Sequence, residues 1–286
     1  MMMIRFSIYW LVIGLFLFGV ESAVAGPWPQ QRGVGYYKLG FGFVRATTFI
    51  EPNGNRISIP TLADYTFSFY GEHGLTDRLT VVVYVPFIQR LTLNRQVGRE
   101  TGAVYFEGDE KTGIADADLG VRFGLFQVGN TVMSASLNLG LPIGDHKQQS
   151  GLWTGDGEFN QRVSLGVGHS FYPAPAYVAF EAGVNNRTEG YSDEFRYDLE
   201  AGYTFRNRLT TIVKLRGLEP FRNGDDDVSG GTGGLYANNQ RFLAYRFEIG
   251  YGITRNVGFS LGIEGATRGQ TILSAPAYST GVYMSL

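Results

Sequence analysis

Phe195-Arg196-Tyr197-Asp198-Leu199-Glu200-Ala201-Gly202-Tyr203-Thr204-Phe205 runs through Arg206-Asn207-Arg208 into Leu209-Thr210-Thr211-Ile212-Val213-Lys214-Leu215-Arg216. In each half, every second residue forms one series. Phe195, Tyr197, Leu199, Ala201, Tyr203 and Phe205 stand against Arg196, Asp198, Glu200, Gly202 and Thr204. Leu209, Thr211, Val213 and Leu215 oppose Thr210, Ile212, Lys214 and Arg216. Successive side chains of a strand point to opposite faces, so this stretch predicts a hairpin with one apolar and one charged face.

The same period recurs on both sides of that hairpin. The apolar series are Tyr37 to Phe43, Tyr65 to Phe69, Leu79 to Phe87, Leu119 to Leu125, Met133 to Leu139, Val163 to Val167 and Val178 to Val184. Beyond the hairpin come Leu243 to Tyr251, Val257 to Ile263 and Tyr278 to Leu286. With the opening pair this predicts twelve strands, most able to reach the roughly 9–11 residues that cross a bilayer at a tilt. Alternation alone also suits a soluble sandwich. The connections discriminate. Gly71 to Asp77, Val128 to Asn130, Tyr172 to Pro175, Arg206-Asn207 and Ile253 to Asn256 are short. Phe49 to Leu62, Ile88 to Ala117, Pro142 to Asn160, Asn186 to Asp193, Gly217 to Gln240 and Thr267 to Ser274 are longer and fall in between. Short turns at one end and long loops at the other are the pattern of outer-membrane barrels. An apolar stripe on every strand would aggregate in water but is solvated by lipid, and closing the sheet leaves no unpaired edge. The expected fold is therefore an all-β, closed antiparallel transmembrane β-barrel of about twelve strands. Tyr36, Tyr37, Phe87, Phe126, Phe171, Tyr172, Phe205, Tyr251 and Tyr278 are the expected interfacial aromatics.

The start of the chain gives the compartment. Met1 to Arg5 is short and basic, Phe6 to Val20 is apolar, and Ala23-Val24-Ala25 is a small-x-small pattern. This predicts a signal peptide over residues 1–25, cleaved after Ala25, and a barrel over residues 26–286 in the bacterial outer membrane. The absence of cysteine excludes a disulfide-stapled scaffold, the mean hydropathy is −0.06, and no second apolar stretch is long enough to span a bilayer as a helix. A net charge of −2 gives no electrostatic case for nucleic acid.

Three motifs carry a resemblance. They are Gly74-Leu75-Thr76-Asp77-Arg78-Leu79, Gly113-Ile114-Ala115-Asp116-Ala117-Asp118-Leu119-Gly120-Val121-Arg122 and Leu141-Pro142-Ile143-Gly144-Asp145. In their order and spacing the chain resembles the outer-membrane barrel family named for the meta-pathway of phenol degradation, over most of residues 26–286. The resemblance implies an outer-membrane transporter passing small, hydrophobic or aromatic molecules. One departure is the last residue, Leu286, where outer-membrane barrels usually end in an aromatic residue read by the barrel assembly machinery.

The polar face is the candidate lumen. It carries Lys38, Asp64, Asp118, Arg122, Arg162, Glu181, Arg196, Asp198, Glu200, Lys214, Arg216, Arg246, Glu248 and Glu264. About twelve strands enclose less space than the ~16–18 of a porin, so these charges are expected to pair across it. Two functions follow: a narrow mixed-charge path for a small-molecule solute, or a non-transporting envelope barrel whose paired charges and long loops fill the lumen. A lipid hydrolase is a third reading. Of its histidines, His73 falls in a short turn, His146 in a long loop, and His169 beside Ser170 at the short-turn end; adjacent strand residues point to opposite faces. Asp225-Asp226-Asp227 lacks the spaced pattern of a calcium loop and reads as a solvated loop. No metal, cofactor or catalytic residue is expected; the expected partners are outer-membrane lipid, the assembly machinery and the solute.

Overall fold

The computed structural model describes residues 26–228 and 230–286, so the expected signal peptide lies outside the described residues. Twelve strands form the wall: β1 (Gly35–Ile50), β2 (Arg56–Gly74), β3 (Leu79–Leu93), β4 (Ala117–Val128), β5 (Thr131–Leu141), β6 (Asn160–Ser170), β7 (Ala176–Asn186), β8 (Glu194–Phe205), β9 (Leu209–Pro220), β10 (Arg241–Gly252), β11 (Val257–Gln270) and β12 (Ala277–Ser285). Each pairs antiparallel with its neighbours in sequence. The sheet closes where β12 meets β1, with Gly281 opposite Gly40, and the Leu286 N–H donates to the Gly35 carbonyl at 2.9 Å.

All twelve predicted strands are present, and their faces follow the alternation. Leu119, Val121, Phe123, Val163, Leu165, Leu199, Val213, Phe247, Leu261 and Val282 are exposed on the outside. The opposing residues turn inward. Six of the expected interfacial aromatics, Tyr37, Phe126, Phe171, Tyr172, Phe205 and Tyr251, stand beside the short turns and the start of β1. Tyr36 does not join them. It is on the inward parity, stacked at 5.7 Å on Tyr283 and edge-on at 6.2 Å to Tyr70.

Several gaps read as long connections are instead extensions of the wall. The β1–β2 link shrinks to residues 51–55, and β3 runs on to Leu93, pairing with a short segment, Asp109–Gly113. Pro86, which has no N–H to give the ladder, sits in a bulge between the Phe67–Ile88 and Phe69–Val85 pairs. The bulge turns both Phe87 and Ile88 outward and leaves the Pro86 carbonyl to accept from Ala115 at 3.0 Å.

Both ends of the barrel are occupied. At the long-loop end the connections pack into a cap around fully buried Leu62, Leu91 and Leu152, against which Ile59, Leu93, Leu235 and Leu273 lie. At the short-turn end residues 26–31 fold into the lumen. Pro27 is fully buried, and the Trp28 ring meets the Tyr177 ring edge-on at 5.6 Å. Inward-facing Gly166 and Gly168 of β6 make the room: a Cβ on either would come within 2.8 Å of Pro27 or 2.5 Å of Trp28.

Candidate functional site: the charged lumen

Between the N-terminal segment and the cap lies a cavity of about 890 Å³. Its wall includes Lys38, Asp64, Arg122, Arg162, Glu181, Asp198, Glu200, Lys214, Arg216, Arg246, Glu248 and Glu264. The remaining two predicted lumen residues, Asp118 and Arg196, line a smaller pocket of about 160 Å³ beneath the cap. Asp116 and Tyr236 border both spaces.

Strand order joins many of these charges into a chain. Lys38 Nζ on β1 donates to Glu248 Oε1 on β10 at 2.6 Å. Arg246 Nη2 donates to Glu248 Oε2 at 2.7 Å, and its Nη1 to Glu264 Oε2 on β11 at 3.5 Å. Arg216 on β9 meets Glu264 at 3.4 Å and Asp198 on β8 at 3.4 Å. Lys38 can reach β10 only because the inward residues between are small: a Cβ on Gly281 would come within 2.8 Å of the Lys38 stem. Beside this chain, Lys214 binds Glu200 at 2.7 Å, and the Tyr177 hydroxyl donates to Glu200 at 2.7 Å. Ions held on two sides in this way lose less to desolvation than isolated ones.

Other predicted residues are placed without an ion pair. Asp64 accepts from the Thr66 hydroxyl at 2.7 Å and Gln89 at 2.9 Å. Glu181 accepts from Ser164 at 2.8 Å. Arg162 has no carboxylate within 4.0 Å among the described residues, and its buried Nε has no hydrogen-bond partner. Arg196 instead binds Glu194 at the rim, at 2.6 Å.

Arg122 is the most enclosed predicted cation. It donates to Glu72 on β2, to the Trp28 carbonyl, and so ties the N-terminal segment to the wall. Glu72 also accepts from the Gln30 side chain at 3.0 Å and from the Tyr70 hydroxyl. Sequence reasoning missed Glu72 and Tyr70, although the signal was there: Asp64, Thr66, Ser68, Tyr70 and Glu72 continue one parity along β2. It also missed residues 26–31, which have no alternation, the rim residues Glu158 and Arg187, whose loops show no period, and Glu194, which continues the parity of Arg196 and Asp198 at the start of β8.

The histidines are scattered. Tyr37 and His73 share a hydrogen bond of 2.8 Å, as do Thr131 and His169, while His146 packs against Trp153. Asp225 lies in the β9–β10 connection, where its carbonyl accepts from Asn238 at 3.0 Å.

No known protein family and no curated protein matches the chain. Solved structures do. An outer membrane channel from Pseudomonas putida F1 superposes with a TM-score of 0.70 at 11% identity, covering 93% of this chain and 100% of that one. The NanC porin superposes with a TM-score of 0.55 at 7% identity, covering 87% of this chain and 100% of that one. At these identities the likeness is one of architecture. This chain has the fold of an outer-membrane channel, a single closed antiparallel barrel along its whole described length.

Proposed function

We propose that the chain is a gated channel of the bacterial outer membrane for small molecules. The observation that carries this reading is the charge-lined cavity of about 890 Å³ held inside the barrel between the N-terminal segment and the cap. A space of this size lined by charges of both signs can take a small solute. The apolar outer band is the face for outer-membrane lipid, the short turns face the periplasm, and the strands are inserted by the barrel assembly machinery. Tyr36, Tyr70 and Tyr84 line the cavity beside the charges, which suits an aromatic solute carrying polar groups. The shared fold with the outer membrane channel from Pseudomonas putida F1 supports the same reading. Reconstitution into planar bilayers and liposomes tests it: ionic current and uptake of small aromatic solutes are expected, and a protein that folds but passes no ion or solute overturns it.

The second reading, a non-transporting envelope barrel, is favoured by one observation. Both ends of the lumen are filled, one by residues 26–31 and the other by the leucine-centred cap. Under that reading the purified barrel stays silent even after both fillings are loosened.

A further inference from the structure

Three carboxylates meet one guanidinium, and a fourth carboxylate lies beside them, where three long connections fold over the mouth. Arg187, in the β7–β8 connection, donates through Nη1 to Glu194 at 2.9 Å, through Nη2 to Asp156 at 3.4 Å, and through Nε to Glu158. The Tyr191 ring covers the guanidinium, 4.2 Å from its carbon. From the β3–β4 connection, Asp116 accepts the backbone N–H of Gly144 at 2.8 Å and of Asp156 at 3.0 Å. It is therefore held directly against the β5–β6 connection that carries Asp156 and Glu158. Glu194 is shared with Arg196 at 2.6 Å.

The core of the cluster is buried, and the cluster is short of positive charge. Side-chain exposure is 5% for Arg187, 6% for Asp156, 0% for Glu158 and 2% for Glu194. Four ionised carboxylates would oppose two guanidinium groups. Glu158 Oε2 is moreover buried with no hydrogen-bond partner, while its Oε1 takes Arg187 and Asn160. A buried carboxyl oxygen with no donor, beside a second carboxylate, is a place for a proton.

We propose that this cluster is a proton-operated latch on the channel: protonated, it ties the β3–β4, β5–β6 and β7–β8 connections over the mouth, and deprotonated, its self-repulsion frees the β5–β6 connection. The inference rests on the channel reading only for its consequence, a current that follows pH. The electrostatics agree with the geometry. Burial, reinforced by Asp156 and opposed by Arg187, raises the Glu158 carboxyl to about 8. Burial also raises Asp116 to about 6, against the pull of two backbone N–H groups and with the push of Asp156. Both carboxyls titrate near 4 in an open, hydrated mouth. The latched state therefore has its full stability below about pH 4 and loses it as pH rises through about 6 and then about 8. The other groups facing the cluster are Asp118 and Arg196 from the wall, Tyr236 from the β9–β10 connection, and His146, whose ring lies against Gly157.

The test is hydrogen exchange of residues 142–159 in the purified, folded barrel between pH 5 and pH 9, corrected for the intrinsic rate, with bilayer current recorded in parallel. Protection is expected to fall at least tenfold across that range, and current to rise. In Glu158→Gln, which keeps shape and carries no titratable proton, the upper step should vanish: protection falls only through the lower, Asp116 step and then holds to pH 9, and the current rises correspondingly less. Equal protection at both pH values, or the same pH response in Glu158→Gln, overturns the latch. Asp116→Asn provides a second variant, expected to delete only the lower step; if Glu158→Gln fails to fold, a full wild-type lower step in Asp116→Asn overturns the latch by itself. Exchange that responds to pH without any current leaves the latch standing and sinks the channel reading.

Discussion

Arg122 on β4 reaches across β3 and grips both oxygens of Glu72 on β2, at 3.2 Å to each. The same guanidinium donates to the Trp28 carbonyl at 3.3 Å, so one buried ion pair fixes both the wall and the segment that fills its short-turn end. Arg122→Met would leave Glu72 buried without its cation. Loss of one partner from such a pair costs about 3–5 kcal/mol. Denaturant unfolding in lipid or detergent should show a loss of that size. The double variant Arg122→Met with Glu72→Leu should recover much of it, because no charge is then stranded.

Gly168→Val should dislodge the N-terminal segment without breaking the barrel. A Cβ there would come within 2.5 Å of the Trp28 ring, while the strand pairing on either side involves only backbone. The expected outcome is a larger single-channel conductance with an unchanged unfolding midpoint. Conductance equal to the wild type would show that residues 26–31 do not restrict the path.

Glu248 holds Lys38 and Arg246 at once, at 2.6 and 2.7 Å. Glu248→Gln removes a negative charge from the cavity wall and leaves two cations facing the lumen. Reversal potentials in a salt gradient should move toward anion selectivity. The shift should be largest at low salt, where screening is weakest.

Leu152→Ala removes the buried leucine that the β5–β6 connection contributes to the cap. Large-to-small changes at such sites cost about 2–5 kcal/mol. Here the cost falls on the cap rather than the barrel, whose strands pair independently of it. Faster exchange in residues 142–159 and more frequent opening are expected, with little change in global unfolding.

Leu199→Arg places a cation on the outer face midway along β8. At the bilayer midplane such a change costs about 2–4 kcal/mol. Refolding into liposomes should weaken by that amount, whereas a change at the neighbouring inward Asp198 should alter selectivity more than stability. Equal effects of the two would contradict the assignment of faces.

The contrast between Leu199 and Glu72 separates what the chain shows in one dimension from what it does not. Period-two alternation is local: it reports which side of a sheet each residue faces, and a one-residue slip would invert the whole strand. Twelve strands, their two faces and the end that carries the short turns were therefore legible from residue order. The alternation failed where the ladder is interrupted, at the Pro86 bulge, and where strands outrun the membrane-sized period, as β1, β2 and β3 do. Tyr36 was misplaced for a related reason, since an aromatic residue at a strand start fits either face until its register is known. What fills the lumen is not local at all. Lys38 meets Glu248 across 210 positions of sequence, and Arg122 meets Trp28 across 94. Those meetings depend on which strand closes against β1 and on how far each inward side chain reaches past its small neighbours. Residue order thus set the wall and its two solvents. Only closure of the barrel decided the ion-paired path inside it, the segment seated at one end and the acidic latch at the other, because each is made by residues that only the closed tertiary structure brings within hydrogen-bond reach.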